Sequence, residues 1–243
     1  MIYLTMDLPV QPRPDVPAPL AGPVAIRSQQ KMRWIIVGGI LSIVGLLLAL
    51  PVVFSRKKGT TRPYPYKAQN DVRQLHLGLL NFQTDYGTFP DASTIAAVKA
   101  STGTGVTLGT SSSNEYLRQL LVTTMKAESV FWAPSAHTPH KPDNDMSGSR
   151  ALEKGECSFA YVPGLSSSSI PSTPVLMAPV DPAGRCFERK KDYGNLAVVL
   201  FVDGSAKAFP VDKHGQVQLN GMDLFDPRQT FWGGTAPDVK WPE

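Results

Sequence analysis

Histidine, cysteine and acidic residues are the side chains of this 243-residue chain that could bind a metal or catalyse a reaction. His137 and His140 lie three positions apart, and Asp143 and Asp145 follow them, which is a spacing that a transition-metal or calcium site could use. Pro139 separates the two histidines and a third imidazole is missing from this stretch, so we interpret it as a solvated loop. The sequence therefore predicts neither a metal site nor a cofactor.

The two cysteines, Cys157 and Cys186, form an even pair. A disulfide between them would close a loop of about 30 residues and would add roughly 3 to 4 kcal/mol of stability in an oxidising compartment. Two separate buried thiols are the alternative that the sequence leaves open. The stretch VDGSAK places a serine after a glycine, but on a predicted hairpin and not on the strand-to-helix turn of a nucleophile elbow. We therefore expect that the chain is not an enzyme.

Two amphipathic helices must help to position these residues. Along the first, which we expect Asn70 to cap, apolar side chains recur every three or four positions, at Val72, Leu75, Leu79, Phe82 and Tyr86. Gly87 and Pro90 are expected to end this helix. Ser112 and Glu115 have the spacing of a capping box and predict the start of a second helix.

Short apolar runs beyond residue 130 predict β-strands. These runs are Ser158 to Val162, Val175 to Met177, Leu196 to Val202, Ser205 to Val211 and Gln216 to Leu219. Asp203 and Gly204 stand between two of the runs and predict a hairpin turn. Helices first and strands after them indicate an α+β fold, in which the long first helix packs on a small antiparallel sheet.

The last part of the chain carries aromatic residues among glycines and prolines, namely Phe225, Phe231, Trp232 and Trp241. Such a stretch could cover an edge of the sheet or present a contact surface. We favour the cover, because a sheet of short strands needs its edges protected.

Residues 34–54 form an uncharged apolar run whose one polar side chain is Ser42. As a helix this run would span about 31 Å, which matches the hydrocarbon core of a bilayer, so we predict a transmembrane helix. A cleaved signal peptide is the alternative, and it is disfavoured because the run is longer than the apolar part of such peptides.

The segments around the apolar run complete the predicted organisation. Residues 1–33 are interpreted as a disordered, Pro-rich tail. Residues 55–69 are interpreted as a basic connector, in which Pro63 and Pro65 prevent a continuous helix. Residues 70–243 then remain for the folded domain.

The formal net charge of +4 is unevenly distributed. Nine basic residues and one acidic residue lie between Arg27 and Arg73, so the rest of the chain is acidic on balance. This distribution argues against a nucleic-acid partner. Counting the basic residues on both sides of the apolar run would place the folded domain in the cytoplasm. The two cysteines and the resemblance described next place it in the periplasm instead.

Two segments of the chain resemble bacterial pilin-like proteins of the prepilin cleavage and methylation class, to which type II secretion pseudopilins belong. The segments read NDVRQLHLGLLNFQTDYGTFP and NLAVVLFVDGSAKAFPV. The positions that match the family's motifs are Asn70, Arg73, Gln74, Leu75, Tyr86, Gly87, Phe89 and Pro90 in the first segment, and Asp203, Gly204 and Ser205 in the second. The resemblance implies a single-pass protein of the inner membrane with a pilin-like periplasmic domain.

The N-terminal processing motif of that family is degenerate in this chain. When Pro51 sets the register, Gln29 stands where the family has the glycine before the cleavage site, and Trp34 stands near the place of its glutamate. The resemblance therefore implies a permanent anchor that prepilin peptidase does not process.

The function that the resemblance implies is non-enzymatic. We expect a structural or accessory component of a type II secretion or type IV pilus-like envelope assembly. Its expected partners are other pilin-like or secretion-system proteins and membrane lipid, and no nucleic acid. The alternative is a membrane-tethered ligand-binding or sensor module, which would bind a small molecule or a glycan in the loops at 133–150 and 163–186.

Overall fold

The computed structural model describes residues 63–139 and 141–243. The disordered tail predicted for residues 1–33 and the transmembrane helix predicted for residues 34–54 lie outside the described residues. So does most of the connector predicted for residues 55–69, and so does His140.

The first helix, α1 (Pro63–Tyr86, 24 residues), begins earlier than the sequence suggested. Pro63 and Pro65 lie in its first turn, where the backbone N–H groups have no partner inside the helix and proline costs nothing. The prediction that residues 63–69 belong to a non-helical connector is therefore wrong, whereas the part of the connector before Pro63 lies outside the described residues. Asn70 lies inside the helix and is exposed, so the prediction that it caps the helix is also wrong.

The buried face of α1 is the one that the periodicity predicted. Its fully buried side chains are Ala68, Val72, Leu75, Leu79 and Phe82. Each such leucine or phenylalanine contributes about 1.5–3 kcal/mol by leaving water. After Tyr86 the chain turns at Gly87, whose φ of 87° is a conformation that glycine adopts without strain.

Two shorter helices follow, α2 (Ile95–Thr102) and α3 (Ser113–Thr123). The predicted start of α3 and its Ser112 N-cap are confirmed, because the Ser112 hydroxyl accepts a hydrogen bond from the Glu115 backbone N–H at 3.3 Å, but the return bond of a capping box goes to the residue before the cap. The Glu115 carboxylate in turn accepts from the backbone N–H of Ser111 at 2.6 Å. Helix α2 was not predicted, because it buries one apolar side chain, Val98, and has no apolar stripe.

The strands form one main sheet and two small ribbons. The eight strands are β1 (Ala160–Tyr161), β2 (Pro174–Ala178), β3 (Val180–Asp181), β4 (Cys186–Phe187), β5 (Leu196–Phe201), β6 (Ala206–Pro210), β7 (Gln218–Leu219) and β8 (Met222–Asp223). The main sheet is antiparallel with the order β1-β2-β5-β6, while β3 pairs with β4 and β7 with β8. Met177 pairs with Ala160 on one side and Val199 on the other, and Val199 pairs with Lys207.

The main sheet is covered on both faces. Alternate residues of its central strands point to opposite sides, as the two-residue period of a strand requires. Leu176, Val198 and Leu200 join the core cluster that contains the buried face of α1. Met177 and Val199 join a second cluster, to which the C-terminal part of the chain contributes Leu224 and Phe231.

The C-terminal part of the chain also covers the β1 edge of the sheet. The backbone groups of Tyr161 and Lys240 exchange two hydrogen bonds, at 2.9 and 2.8 Å. Phe225 stacks on Phe187 at 5.5 Å between ring centroids and meets Trp241 edge-on at 5.9 Å. The prediction that the aromatic end of the chain protects a sheet edge is therefore confirmed.

The predicted fold class needs a correction. It combined a transmembrane helix with a pilin-like body, whereas the described residues hold three α-helices, a four-stranded antiparallel sheet and two ribbons, which is an α+β fold and no more. Among residues 63–139 and 141–243, no helix has both the length and the apolar composition needed to cross a bilayer. The longest helix, α1, carries Lys67, Asp71, Arg73 and Asp85.

Candidate functional site

The two segments that carry the family resemblance meet in the structure. Asp203 and Gly204 form the turn between β5 and β6, and the Asp203 carboxylate accepts a hydrogen bond from the Ser205 backbone N–H at 2.8 Å. The prediction of a hairpin at Asp203–Gly204 is confirmed. His76 of α1 reaches this hairpin, because its Nε2 lies 3.1 Å from the backbone carbonyl oxygen of Val202.

Gly204 is a point of close approach between the helix and the hairpin. Its φ is +80°, and a Cβ atom added there would lie 2.7 Å from Cε1 of the His76 ring. Any other residue would therefore strain the backbone and also push against the imidazole. His76, which the sequence left as an exposed or partly packed residue, is half-buried and positions the turn.

The motif residues that end α1 have structural roles. Phe89 is fully buried, and its backbone N–H donates to the Leu165 carbonyl at 3.0 Å. The carbonyl of Pro90 accepts a hydrogen bond of 2.8 Å from the hydroxyl of Tyr161, whose pKa burial raises well above its ordinary value. The phenol of Tyr86 packs on the ring of Phe82, with 4.5 Å between their centroids.

Of the other motif residues of α1, Leu75 is fully buried, whereas Asn70, Arg73 and Gln74 are exposed. Two of them lie on one side of the helix between two large hydrophobic residues, and we call Tyr66, Asn70, Arg73 and Leu77 the α1 stripe. At 100° per residue these four positions fall within about 60° of arc, and they extend over roughly 16 Å along the axis. Tyr66 and Leu77 are 63% and 62% exposed.

Gln74 lies beside the stripe and lines an open cavity of about 480 Å³. In this cavity the Lys67 ammonium pairs with the Asp71 carboxylate at 2.6 Å and donates to the carbonyl oxygen of Trp132 at 2.7 Å. Burial raises the pKa of Asp71, and the ion pair with Lys67 acts in the opposite direction. The cavity therefore contains an ion pair whose ammonium group also lies over the ring of Trp132, 5.5 Å from its centroid.

The disulfide considered for Cys157 and Cys186 is not formed, and both thiols are free. Cys157 is fully buried in the α1-side cluster, where its thiol donates to the Phe159 carbonyl at 3.6 Å. Burial raises the pKa of Cys157 to about 11. Cys186 lies half-buried in β4, next to Phe187, which belongs to the second core cluster, whereas Cys157 belongs to the first.

A second open cavity, of about 590 Å³, brings together several groups from different loops. His137 lines it together with Cys186, Glu188 and His214. These residue types can bind ligands, and the sequence offered no signal that they would share a surface, because they come from loops of irregular spacing.

The predicted loop at 137–145 contributes one residue to an acidic cluster. Asp145 forms an ion pair with the guanidinium of Arg150 at 2.9 Å. Asp143 also lies close to the carboxylates of Glu128 and Glu156. One carboxylate oxygen from each of the three acids lies within 4.8 Å of the others. Sequence reasoning missed Glu128 and Glu156. The three acids of the cluster come from three separate segments of the chain, so no local spacing connects them.

Comparisons with known proteins leave these sites to be interpreted from their geometry. No protein-family model matches the chain, and neither a curated protein nor a solved structure matches it.

Proposed function

We propose that the chain is a non-enzymatic structural or accessory component of a type II secretion or type IV pilus-like assembly, and that it acts through contact with pilin-like proteins of that assembly. The α1 stripe is the observation that carries this proposal. The sequence resemblance supplies the class of partner, and the stripe supplies a surface for it.

The composition of the stripe suits a protein contact. Of the four large hydrophobic residues that are exposed in the described part of the chain, Tyr66 and Leu77 lie on this one helix face. Single exposed hydrophobic residues are ordinary on protein surfaces, but tyrosine and arginine together are enriched where proteins meet. Arg73 between them adds a positive charge, which favours a partner helix with an acidic residue at the matching height.

A photo-crosslinking experiment in cells that contain the native assembly tests the proposal. A photoreactive amino acid is placed at Leu77 of the full chain, and the crosslinked product is identified by mass spectrometry. The expected product joins the chain to another protein with a pilin-type apolar N-terminal segment. Arg73→Glu is expected to lower the yield by at least about tenfold if the paired charge is worth roughly 1.4 kcal/mol.

Ile170 provides the matched control, because it is 48% exposed and lies outside the stripe. The same photoreactive group at Ile170 is expected to give no such product. Equal products from both positions, or a detergent extract in which the chain is a lone monomer under every condition, would contradict the proposal.

The second candidate function is the ligand-binding or sensor module. The cavity of about 590 Å³ favours it, because Ala136 and His137 come from the stretch 133–150 and Asp181 comes from the stretch 163–186, although the structure places Asp181 in β3 and not in a loop. A panel of soluble glycans and small metabolites is screened for thermal stabilisation of the full chain. A hit that His214→Ala abolishes and Ile170→Ala preserves would support this function over the first.

The inner-membrane location and the lipid contact stay predictions, because they concern residues outside those that the structure describes.

A further inference from the structure

Three carboxylates from separate segments converge beside the 3-10 helix Glu128–Phe131. Glu128 opens that helix, Asp143 belongs to the loop that follows it, and Glu156 lies shortly before β1. Their carboxylate oxygens lie within 4.8 Å of one another, so three formal negative charges occupy one small volume.

Glu128 is the group that makes this cluster unusual. It is 0% exposed, and its Oε1 accepts a hydrogen bond from the backbone N–H of Leu152 at 2.6 Å. Its other oxygen, Oε2, is buried and has no hydrogen-bond partner among the residues that the structure describes. Burying a carboxylate oxygen without a hydrogen-bond donor or a cation lowers the stability of the fold. The site is therefore suited to a group that supplies positive charge.

Glu156 is also removed from water, with 7% of its surface exposed. Its two oxygens accept backbone N–H groups of Asp143 at 3.1 Å and of Glu153 at 2.8 Å. Burial raises the pKa of Glu156, and the neighbouring carboxylates of Glu128 and Asp143 raise it further. The two hydrogen bonds lower this pKa but do not cancel the increase. The backbone thus fixes the position of the carboxylate without neutralising its charge.

Arg150 is the cation near the cluster, and it lies on the solvent side. Its guanidinium pairs with Asp143 at 3.1 Å and with Asp145 at 2.9 Å. Within the described part of the chain, the ion pairs of Arg150 do not extend to Glu128 or Glu156. Glu128 and Glu156 therefore have no cationic ion-pair partner among the described residues.

We propose that Glu128, Asp143 and Glu156 bind a calcium ion. Calcium takes oxygen ligands at about 2.3–2.6 Å, so oxygens on opposite sides of one ion lie up to about 5 Å apart, which accommodates the observed separation. Magnesium holds its oxygens within about 4.2 Å and keeps most of its water, which suits a cluster of three protein carboxylates less well. The unpaired Oε2 of Glu128 gains a partner when the ion binds.

Thermal unfolding of the full chain tests the calcium site with the metal alone as the probe. The protein is first treated with a chelator and then titrated with calcium chloride or magnesium chloride. At a free calcium concentration of about 100 times Kd, Tm is expected to rise by about 5–10 °C. A shift with magnesium that equals or exceeds the calcium shift would overturn the assignment to calcium.

Glu128→Gln separates an ion site from a carboxyl group with a merely structural role. Glutamine keeps the shape and an oxygen for the Leu152 N–H, but it removes the charge. We expect the variant to lose the calcium shift while its Tm in chelator equals or exceeds that of the wild type. A variant that unfolds more easily in chelator and keeps the calcium shift would overturn the proposal.

Asp143→Asn provides a second variant at an exposed position, where misfolding is not expected, and it should also lower the calcium affinity at least about tenfold. Asp192→Asn is the matched control, because Asp192 is exposed and lies outside the cluster. An unchanged calcium response in Asp143→Asn would show that calcium binds outside the cluster, and an absent response in the wild type would show that the cluster does not bind calcium; either result would overturn the proposal.

Discussion

The contact between α1 and the β5–β6 hairpin and the acidic cluster around Glu128 both join residues that are distant in sequence. In the first, the α1 side chains that face the sheet are apolar and the His76 imidazole lies 3.1 Å from the Val202 carbonyl oxygen, although the Ser205 hydroxyl is buried without a partner among the described residues. In the second, two of three neighbouring carboxylates are buried, and one oxygen of Glu128 has no partner among the described residues. The first region is therefore held mainly by apolar burial, whereas we expect the second to take up an ion.

The largest effect should come from the apolar region. Leu79 is fully buried, so Leu79→Ala is expected to lower the free energy of unfolding by about 2–5 kcal/mol, measured by urea denaturation. Leu77→Ala on the same helix provides the matched control, because that side chain is 62% exposed and its loss should change stability by no more than about 0.5 kcal/mol. Similar losses for both variants would mean that α1 packs by a different face.

A smaller effect is expected at the turn that α1 contacts. Gly204→Ala should cost about 1–3 kcal/mol, because alanine resists a φ of +80° and its Cβ would collide with the ring of His76. In the background His76→Ala the collision is absent, so the same substitution should cost measurably less. A double-mutant cycle of unfolding free energies measures this coupling. If the two substitutions were additive, the close approach would have no energetic consequence.

The acidic cluster should make the free energy of unfolding depend on pH. Each unit by which folding raises the pKa of Glu156 corresponds to roughly 1 kcal/mol of stability. Because that pKa is above its ordinary value of 4.5, the contribution of Glu156 to stability is fully present below pH 4.5 and is lost as the pH rises through the folded-state pKa. Glu128 and Asp143 face this group, with Arg150 behind Asp143.

Urea unfolding in chelator between pH 4 and 7 measures this loss as the difference between the wild type and Glu156→Gln. Calcium should offset this loss in the wild type, because the ion binds the ionised carboxylates, and it should stabilise Glu156→Gln less, because that variant lacks one of the proposed ligands. Equal stabilisation of both proteins by calcium would show that Glu156 is not a ligand.

The smallest effect concerns the two thiols, because modification of the half-buried Cys186 alone should leave stability almost unchanged. Cys157 is fully buried and its pKa is raised to about 11, so it should resist iodoacetamide at pH 8, whereas the half-buried Cys186 should react. Mass spectrometry of the native protein is expected to find one modified cysteine, and that of the urea-unfolded protein two. Modification of Cys157 under native conditions would show that the α1-side core opens locally.

The regions that the sequence predicted well are those with a regular apolar period. Leu75 and Leu79 lie on a repeating helical face, and Leu196–Phe201 is a continuous apolar strand. The start of α1 was missed because a proline in the first turn of a helix is harmless, whereas the same residue further along would break it. The boundaries of an element therefore depend on position as well as on residue type.

The acidic cluster could not be predicted from spacing, because its geometry depends on tertiary structure. The backbone N–H groups of Leu152 and Asp143 hold the carboxylates of Glu128 and Glu156, and these contacts form only after the loops have packed. The stretch after His137 does contain one member, Asp143, but its neighbours in space come from other segments. A local sequence pattern can identify one candidate ligand in that stretch, but it cannot identify the other two acids of the cluster.

The backbone pairing of Tyr161 with Lys240 makes the two edge strands of the main sheet, β1 and β6, differ in their access to a further strand. Among the described residues no strand pairs with the outer side of β6, whereas a foreign extended peptide could add beside β1 only after the C-terminal residues had detached. Lys207 and Pro210 on β6 are residue types that discourage such addition. Removing residues 238–243 would thus expose the edge of β1, which has neither residue type, and soluble oligomers that pair through this edge should form.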